Sequence, residues 1–388
     1  MPQQSCHLAT GRYFLTPLSI NLLMSQLQPM HSLLQTARQL GASDLHLKAD
    51  KQPFLRVNGR LISAKTAPLS LSDLNRFLAA SIPEALQAAW QQDGQIDYSY
   101  YLPELGRFRV NAFYQRGQLS AVLRVVHAQP PSFESLNMDG AVLTELCAQK
   151  AGMILLCGAT GSGKSSTLAA MLQHMNQTYD YHIVTLEDPI EYSHPDQRCI
   201  INQREIGLDC PSFSAGMRSA LRQDPDVLLI GEMRDAFTFE TALRAAETGH
   251  LVLATLHAAN ATQAVQRLFE FSPEQTAMMQ RQVASTLLAT ITQRLVPASE
   301  SEGRYPATEY FVVEALGRKT LLEGSFDKIE QVIELNSEGS SQSFNQDLLR
   351  LVEAKQITAD QALSHSPNPQ ELKLQLQGIF LTQRGIIH

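Results

Sequence analysis

The chain has 388 residues and a mass of 43.0 kDa, enough for two domains that each bury a core. Its hydrophobic content of 44% and charged content of 18% suit a globular protein, and a net charge of -7 argues against a general nucleic-acid binder. Cys6, Cys147, Cys157, Cys199 and Cys210 are odd in number and lack a C-x-x-C pair, which argues against a disulfide framework or a four-cysteine zinc site and for a reducing cytoplasm; no apolar run is long enough to span a membrane.

Residues 1–30 read as an N-terminal extension, because Pro17, Asn21 and Ser25 interrupt the mildly apolar stretch Phe14 to Leu27. The spacing of Leu33, Leu34, Ala37 and Leu40 predicts a helix over Ser32 to Leu40 that stops at Gly41. Short strands are expected at Asp44 to Leu47 and Phe54 to Val57, with Asn58-Gly59 turning the chain into Arg60-Leu61-Ile62. Helical stretches follow at Ser72 to Ala80, with Ser72 as N-cap, and at Glu84 to Trp90. Strands at Ile96 to Leu102, Arg107 to Gln115 and Gln118 to His127 complete a small α+β domain over 31–128. Gln129-Pro130-Pro131-Ser132 opens a linker over 129–137.

From 138 to 297 strands and helices alternate, as a parallel α/β sheet requires, with strands at Met153 to Cys157, His182 to Leu186, Val227 to Ile230 and Leu251 to Leu256. Beyond Pro297 the pattern turns mainly helical, with amphipathic helices at Phe344 to Lys355 and Ala359 to Ser364 after a polar loop, Ser337 to Ser343.

The chemistry centres on Gly158-Ala159-Thr160-Gly161-Ser162-Gly163-Lys164-Ser165, which fits the phosphate-loop pattern G-x-x-x-x-G-K-[ST], with Ser166 next in line. An apolar strand precedes it and a helix follows, so backbone N–H groups and a helix N-terminus face phosphate oxygens. Lys164 then reaches the terminal phosphates, and the Ser165 hydroxyl ligates magnesium. The apolar run Val227 to Ile230 ends in Gly231-Glu232, a Walker B shape with glycine in place of the usual aspartate, which makes Glu232 a second candidate for the magnesium site. Thr185 to Tyr192 carries Glu187, Asp188 and Glu191 at the carboxyl end of another strand, where a carboxylate can orient water or hold the metal's water shell. His250 and His257 bracket the strand Leu251 to Leu256, a spacing unsuited to zinc on a helix but suited to sensing the γ-phosphate or relaying its loss to a neighbouring subunit.

In the first domain, a two-residue turn at Arg116-Gly117 pairs Gln115 with Gln118 and, counting back, sets Arg109 opposite Arg124. Both then lie on the face opposite Phe108, Val110, Leu123 and Val125. Like charges so placed are unfavourable unless an anion lies between them, and guanidinium forks suit a triphosphate.

Taken with Ala246-Glu247-Thr248-Gly249-His250, Gly231-Glu232-Met233-Arg234-Asp235 and Asn202-Gln203-Arg204-Glu205-Ile206-Gly207, these motifs make the chain resemble the secretion-superfamily ATPases. More narrowly it resembles the PilT/PilU group, which retracts type IV pili, over about Leu33 to Ile379. Ala258-Ala259-Asn260-Ala261 and Gln293-Arg294-Leu295-Val296-Pro297 lean towards PilU wording. The resemblance implies a RecA-like core, a PAS-like N-terminal domain and a ring-shaped homohexamer that binds ATP and Mg2+. It assigns Glu191 as general base, Glu232 to the metal site, His250 and His257 to a histidine box, and Arg109 with Arg124 to nucleotide contact. It further implies a cytoplasmic motor at an inner-membrane platform protein, with a PilT-type paralogue as a further partner. An accessory subunit, or a secretion or conjugation motor on the same core, is the alternative.

Overall fold

The computed structural model describes residues 17–57, 59–103, 105–126, 129–271, 276–299, 303–335 and 340–379. The chain divides after Val126 into two compact units.

In the first unit a six-stranded antiparallel sheet runs in the order β3-β2-β1-β6-β5-β4. Its strands are β1 (Asp44–Lys48), β2 (Phe54–Val57), β3 (Arg60–Ser63), β4 (Gln95–Leu102), β5 (Gly106–Gln115) and β6 (Gln118–Val125). Helices α1 (Pro17–Gln39), α2 (Leu71–Ser81) and α3 (Glu84–Asp93) accompany it. Leu45, Phe108 and Leu123, alternate strand residues that the period-two pattern selects, are wholly buried in its core with Leu34 of α1 and Phe77 of α2. Two boundaries differ from expectation. The first helix is continuous from Pro17, so the 1–30 extension lies partly in α1, and its residues 1–16 fall outside those described. Helix α2 starts earlier because Ser70, rather than Ser72, caps it, in a reciprocal capping box with Asp73. Asn58 of the expected first hairpin turn also falls outside the described residues.

The second unit holds a seven-stranded sheet in the order β13-β12-β7-β11-β10-β8-β9. The expected strands appear as β7 (Gly152–Cys157), β8 (His182–Glu187), β10 (Val227–Ile230) and β11 (Leu251–Leu256), all parallel. β9 (Ile200–Glu205) extends one edge and β12 (Leu287–Pro297) the other, with β13 (Arg304–Val312) antiparallel beyond β12. The expectation that the chain turns mainly helical after Pro297 therefore misses β13. That strand is buried on both faces over Pro306 to Phe311, so it lacks the alternation that marks a strand in sequence. Helices α4 (Gly140–Cys147), α5 (Lys164–Thr178), α6 (Phe213–Ala220), α7 (Ala236–Glu247), α8 (Ala261–Glu270) and α9 (Thr276–Thr286) flank the sheet. Helices α10 (Ala315–Glu323), α11 (Ile329–Leu335), α12 (Phe344–Glu353), α13 (Ala359–His365) and α14 (Pro369–Leu376) follow. Among the described residues no helix is long and apolar enough to cross a membrane.

Candidate active site

Parallel pairing brings the carboxyl ends of β7, β8, β10 and β11 to one edge, since Ile230 lies beside Leu186 and Ala254, and Leu256 beside Cys157. The loops leaving these ends enclose a cleft of about 320 Å³ lined by Thr160, Lys164, Ser165, Glu191, Glu232 and His257, among others. The motifs that lie far apart in sequence are thus walls of one cavity, at the edge where open α/β sheets bind ligands.

The phosphate loop passes from β7 to α5. Helices α4, α6, α7 and α8 are capped by the side chains of Asp139, Ser212, Asp235 and Asn260, whereas Gly163 at the start of α5 offers no capping side chain. The first N–H groups of α5 are thereby left to an anion, at the positive end of the helix dipole. The buried Ser162 hydroxyl likewise has no partner. Gly158 sits at φ +143°, where a Cβ would lie 2.6 Å from the Gln293 carbonyl oxygen, so only glycine lets the loop lie against β12. Lys164 Nζ donates to the carbonyls of Gly158 at 2.9 Å and Ala159 at 3.0 Å. Burial pulls the Lys164 pKa below its ordinary value, and the negative charges of Glu232 and Glu191 oppose that pull.

Glu232 follows β10. Its carboxylate accepts from Arg234 at 2.5 Å and lies 3.3 Å from His257 Nε2. The Arg234 hydrogen bond, against the opposing effect of burial, holds Glu232 below the usual carboxylate range. The glycine in place of the Walker B aspartate has a steric reason. A Cβ on Gly231 would lie 3.0 Å from the Leu186 carbonyl oxygen and 3.2 Å from Glu187 Cα, because Gly231 N–H donates to Leu186 at 2.7 Å. The close approach draws β10 against the end of β8 and leaves Glu232 as the carboxylate that faces the cleft.

The acidic segment separates into different environments. Burial raises the pKa of Glu187, which accepts from Thr185 Oγ1 at 2.7 Å and Gln203 Nε2 at 3.0 Å. Glu191 is exposed and lines the cleft. Tyr192 OH meets Ser166 Oγ at 2.8 Å, tying this segment to the first turn of α5.

The two histidines part company. His257 leaves the carboxyl end of β11 and reaches Glu232, while His250 precedes Leu251 at the amino end, roughly 20 Å of strand away. His250 instead closes the end of α7, its N–H donating to the Ala245 carbonyl at 3.1 Å.

In the first unit the hairpin register is the one counted from the turn. Arg116 and Gly117 have φ of +49° and +73°, Gln115 pairs with Gln118, and Arg109 stands opposite Arg124. The row continues through Asp44 on β1 to Arg56 on β2. Asp44, almost wholly buried, accepts from Arg124 Nε at 2.9 Å, and Arg109 lies 3.7 Å from Asp97. Burial would raise the Asp44 pKa, but the bonds from Ser43 and Arg124 outweigh it and leave the group below its usual range. Carboxylates of the same sheet therefore relieve part of the repulsion. Asp44 escaped the sequence reading because a hairpin count reaches only β5 and β6, while β1 pairs with β6 across some 80 residues.

The family model described as "Type II/IV secretion system protein" matches residues 24–362. The chain belongs to that family. It is 36% identical to the type IV pilus ATPase PilU of Pseudomonas aeruginosa over 346 residues, covering 89% of this chain and 90% of that protein. It is 38% identical to the type IV pilus retraction ATPase PilT of the same organism over 310 residues, covering 80% and 89%. Among solved structures, the pilus retraction motor PilT with bound ADP superposes with a TM-score of 0.82 at 39% identity, covering 89% of this chain and 98% of that one. The resemblance of the motifs to this group and the α/β fold expected from it are thereby borne out.

Proposed function

We propose that this chain is a motor ATPase that couples ATP hydrolysis to the retraction of type IV pili. The observation that carries the reading is the convergence of Lys164, Glu191, Glu232 and His257 on one cleft beside an uncapped helix N-terminus. The names of relatives that align over most of the chain supply the link to pili.

Gly158 to Ser166 cradle the triphosphate, with Lys164 exchanging its loop carbonyls for the β- and γ-phosphates. Magnesium fits the donors present, since Ser165 and Glu232 line one cleft and would hold the ion with hard oxygen ligands. When bound, it neutralises charge on the phosphates. Glu191 takes a proton from water as the water oxygen bonds to the γ-phosphorus, and the bond to the β–γ bridging oxygen breaks to release ADP. His257, in contact with Glu232, registers the loss of the γ-phosphate. His250, at the other end of β11, relays that change outward.

The active form is a cytoplasmic homohexamer at an inner-membrane platform protein. In it Arg109 and Arg124 of one subunit serve the nucleotide of its neighbour. Similarity to PilU at nearly the same identity as to PilT favours a second reading, an accessory subunit that works beside a PilT-type paralogue.

Deletion of the gene followed by imaging of surface pili tests the proposal. Excess pili with lost twitching is the expected result, and bald cells would contradict it. A Lys164→Ala allele should fail to restore twitching; restoration would favour the accessory reading.

A further inference from the structure

The segment Asn202-Gln203-Arg204-Glu205-Ile206-Gly207 belongs to no part of the chemistry described above, yet it forms the edge strand β9 and the turn beyond it. Its side chains on one face turn towards the loop that carries Glu191. That loop, residues 188–194, holds neither a helix nor a strand of the main sheet, so its shape must be imposed from outside.

Gln203 imposes it with every part of its amide. Nε2 donates to Glu187 Oε1 at 3.0 Å and to the Tyr192 carbonyl at 2.8 Å, while Oε1 accepts the His194 N–H at 2.9 Å. The partners dictate the orientation of the amide, because two are acceptors and one is a donor. They also straddle Glu191, one before it and two after it. Glu205, two residues along the same strand and on the same face, accepts the Ile190 N–H at 3.4 Å. At the far side of the loop, Tyr192 OH bonds to Ser166 next to the phosphate loop. Glu191 itself remains exposed to the cleft.

We propose that Gln203 is a positioning residue that sets the Glu191 carboxylate against the attacking water. The inference rests on the assignment of Glu191 as general base. Gln203 touches neither phosphate nor water; it acts by holding the Glu187 side chain before Glu191 and the backbone of Tyr192 and His194 after it. Misplacement of a catalytic group by about 1 Å costs about a hundredfold in rate, so loss of these three bonds should appear in kcat and not in nucleotide affinity.

The test uses the full-length protein with a fluorescent ADP analogue for affinity and steady-state ATP turnover for kcat. Gln203→Met keeps the length of the side chain and removes its hydrogen bonds. It should lower kcat about tenfold to a hundredfold while the affinity for the analogue stays nearly unchanged. In a Glu191→Gln background the same substitution should cost almost nothing further, because residues acting as a unit are non-additive. Should Gln203→Met fail to fold, Gln203→Glu, which keeps an acceptor for His194 but loses both donors, is judged by the same ratio. Unchanged kcat in Gln203→Met, with Glu191→Gln inactive, overturns this inference alone. Equal losses in kcat and affinity, or a full further loss in the Glu191→Gln background, also overturn it. Normal turnover by Glu191→Gln would instead overturn the assignment of the base.

Discussion

At the carboxyl edge of the parallel sheet, charged residues from four loops meet in one cleft, whereas the antiparallel sheet of the first unit strings its charges in a row across paired strands. In the cleft a helix N-terminus and a lysine provide the positive field, and the carboxylates face it. In the row, Arg109 and Arg124 are partly held by Asp97 and Asp44, and both guanidinium groups stay substantially exposed. The two arrangements place charge for different ends. A cleft surrounds its ligand, while a row of half-exposed arginines leaves its positive charge open to solvent.

The sharpest way to break this contrast is to alter the row one residue at a time. Arg109→Ala and Arg124→Ala should each lower ATP turnover of the assembled enzyme on the order of 10³-fold, the usual worth of an arginine supplied to a phosphoryl transfer. Arg56→Ala, in the same row but bonded to the Gly59 carbonyl at 2.9 Å, should change turnover little. Equal losses for all three, measured as steady-state phosphate release, would make the row structural and remove the distinction.

A smaller effect separates the working residues of the cleft from Glu309, a buried carboxylate outside its lining. Glu309 on β13 accepts the Ala261 N–H at 2.6 Å, at the start of the helix that follows the His257 loop. Burial pushes its pKa up to about 7; the Ala261 N–H and Arg294 draw it down, and Glu330 adds to the rise. The folded state thus holds this proton more tightly than the unfolded chain. The associated stability is fully present below about 4.5, the ordinary value for glutamate, and is lost as pH rises to about 7. In Glu309→Gln the melting temperature should fall less between pH 5 and pH 8 than it does in the unaltered protein. An identical fall in both would show that Glu309 does not carry the dependence.

The cleft was legible in the sequence where its chemistry sits in consecutive residues. Gly152 to Ser165 holds a strand, the phosphate loop and the start of a helix, and Val227 to Glu232 holds a strand and its turn, so local pattern was enough. The arginine pair was legible for a different reason: a two-residue turn fixes the register of the strands it joins, and Arg109 and Arg124 follow by counting. What escaped depends on pairing between distant segments. Asp44 meets Arg124 only once β1 is laid beside β6, and Gln203 meets the Glu191 loop only once β9 is laid beside β8. Gly231 could be read as a departure from pattern but not explained, since its reason is the backbone of Leu186 and Glu187 lying against it. β12 and β13 were hidden by burial on both faces, where buried Thr290, Thr292, Gln293, Thr308 and Glu309 interrupt the apolar residues and leave no period of two.

The central claim is that Glu191 removes the proton from the attacking water in the cleft organised by Lys164. Single-turnover hydrolysis of ATP by the full-length Glu191→Gln protein, with ATP binding measured in parallel, tests it most directly. The account predicts ATP bound at nearly unaltered affinity and hydrolysed about 10²- to 10⁴-fold more slowly, the range expected when a general base is removed. Hydrolysis at the unaltered rate would contradict it.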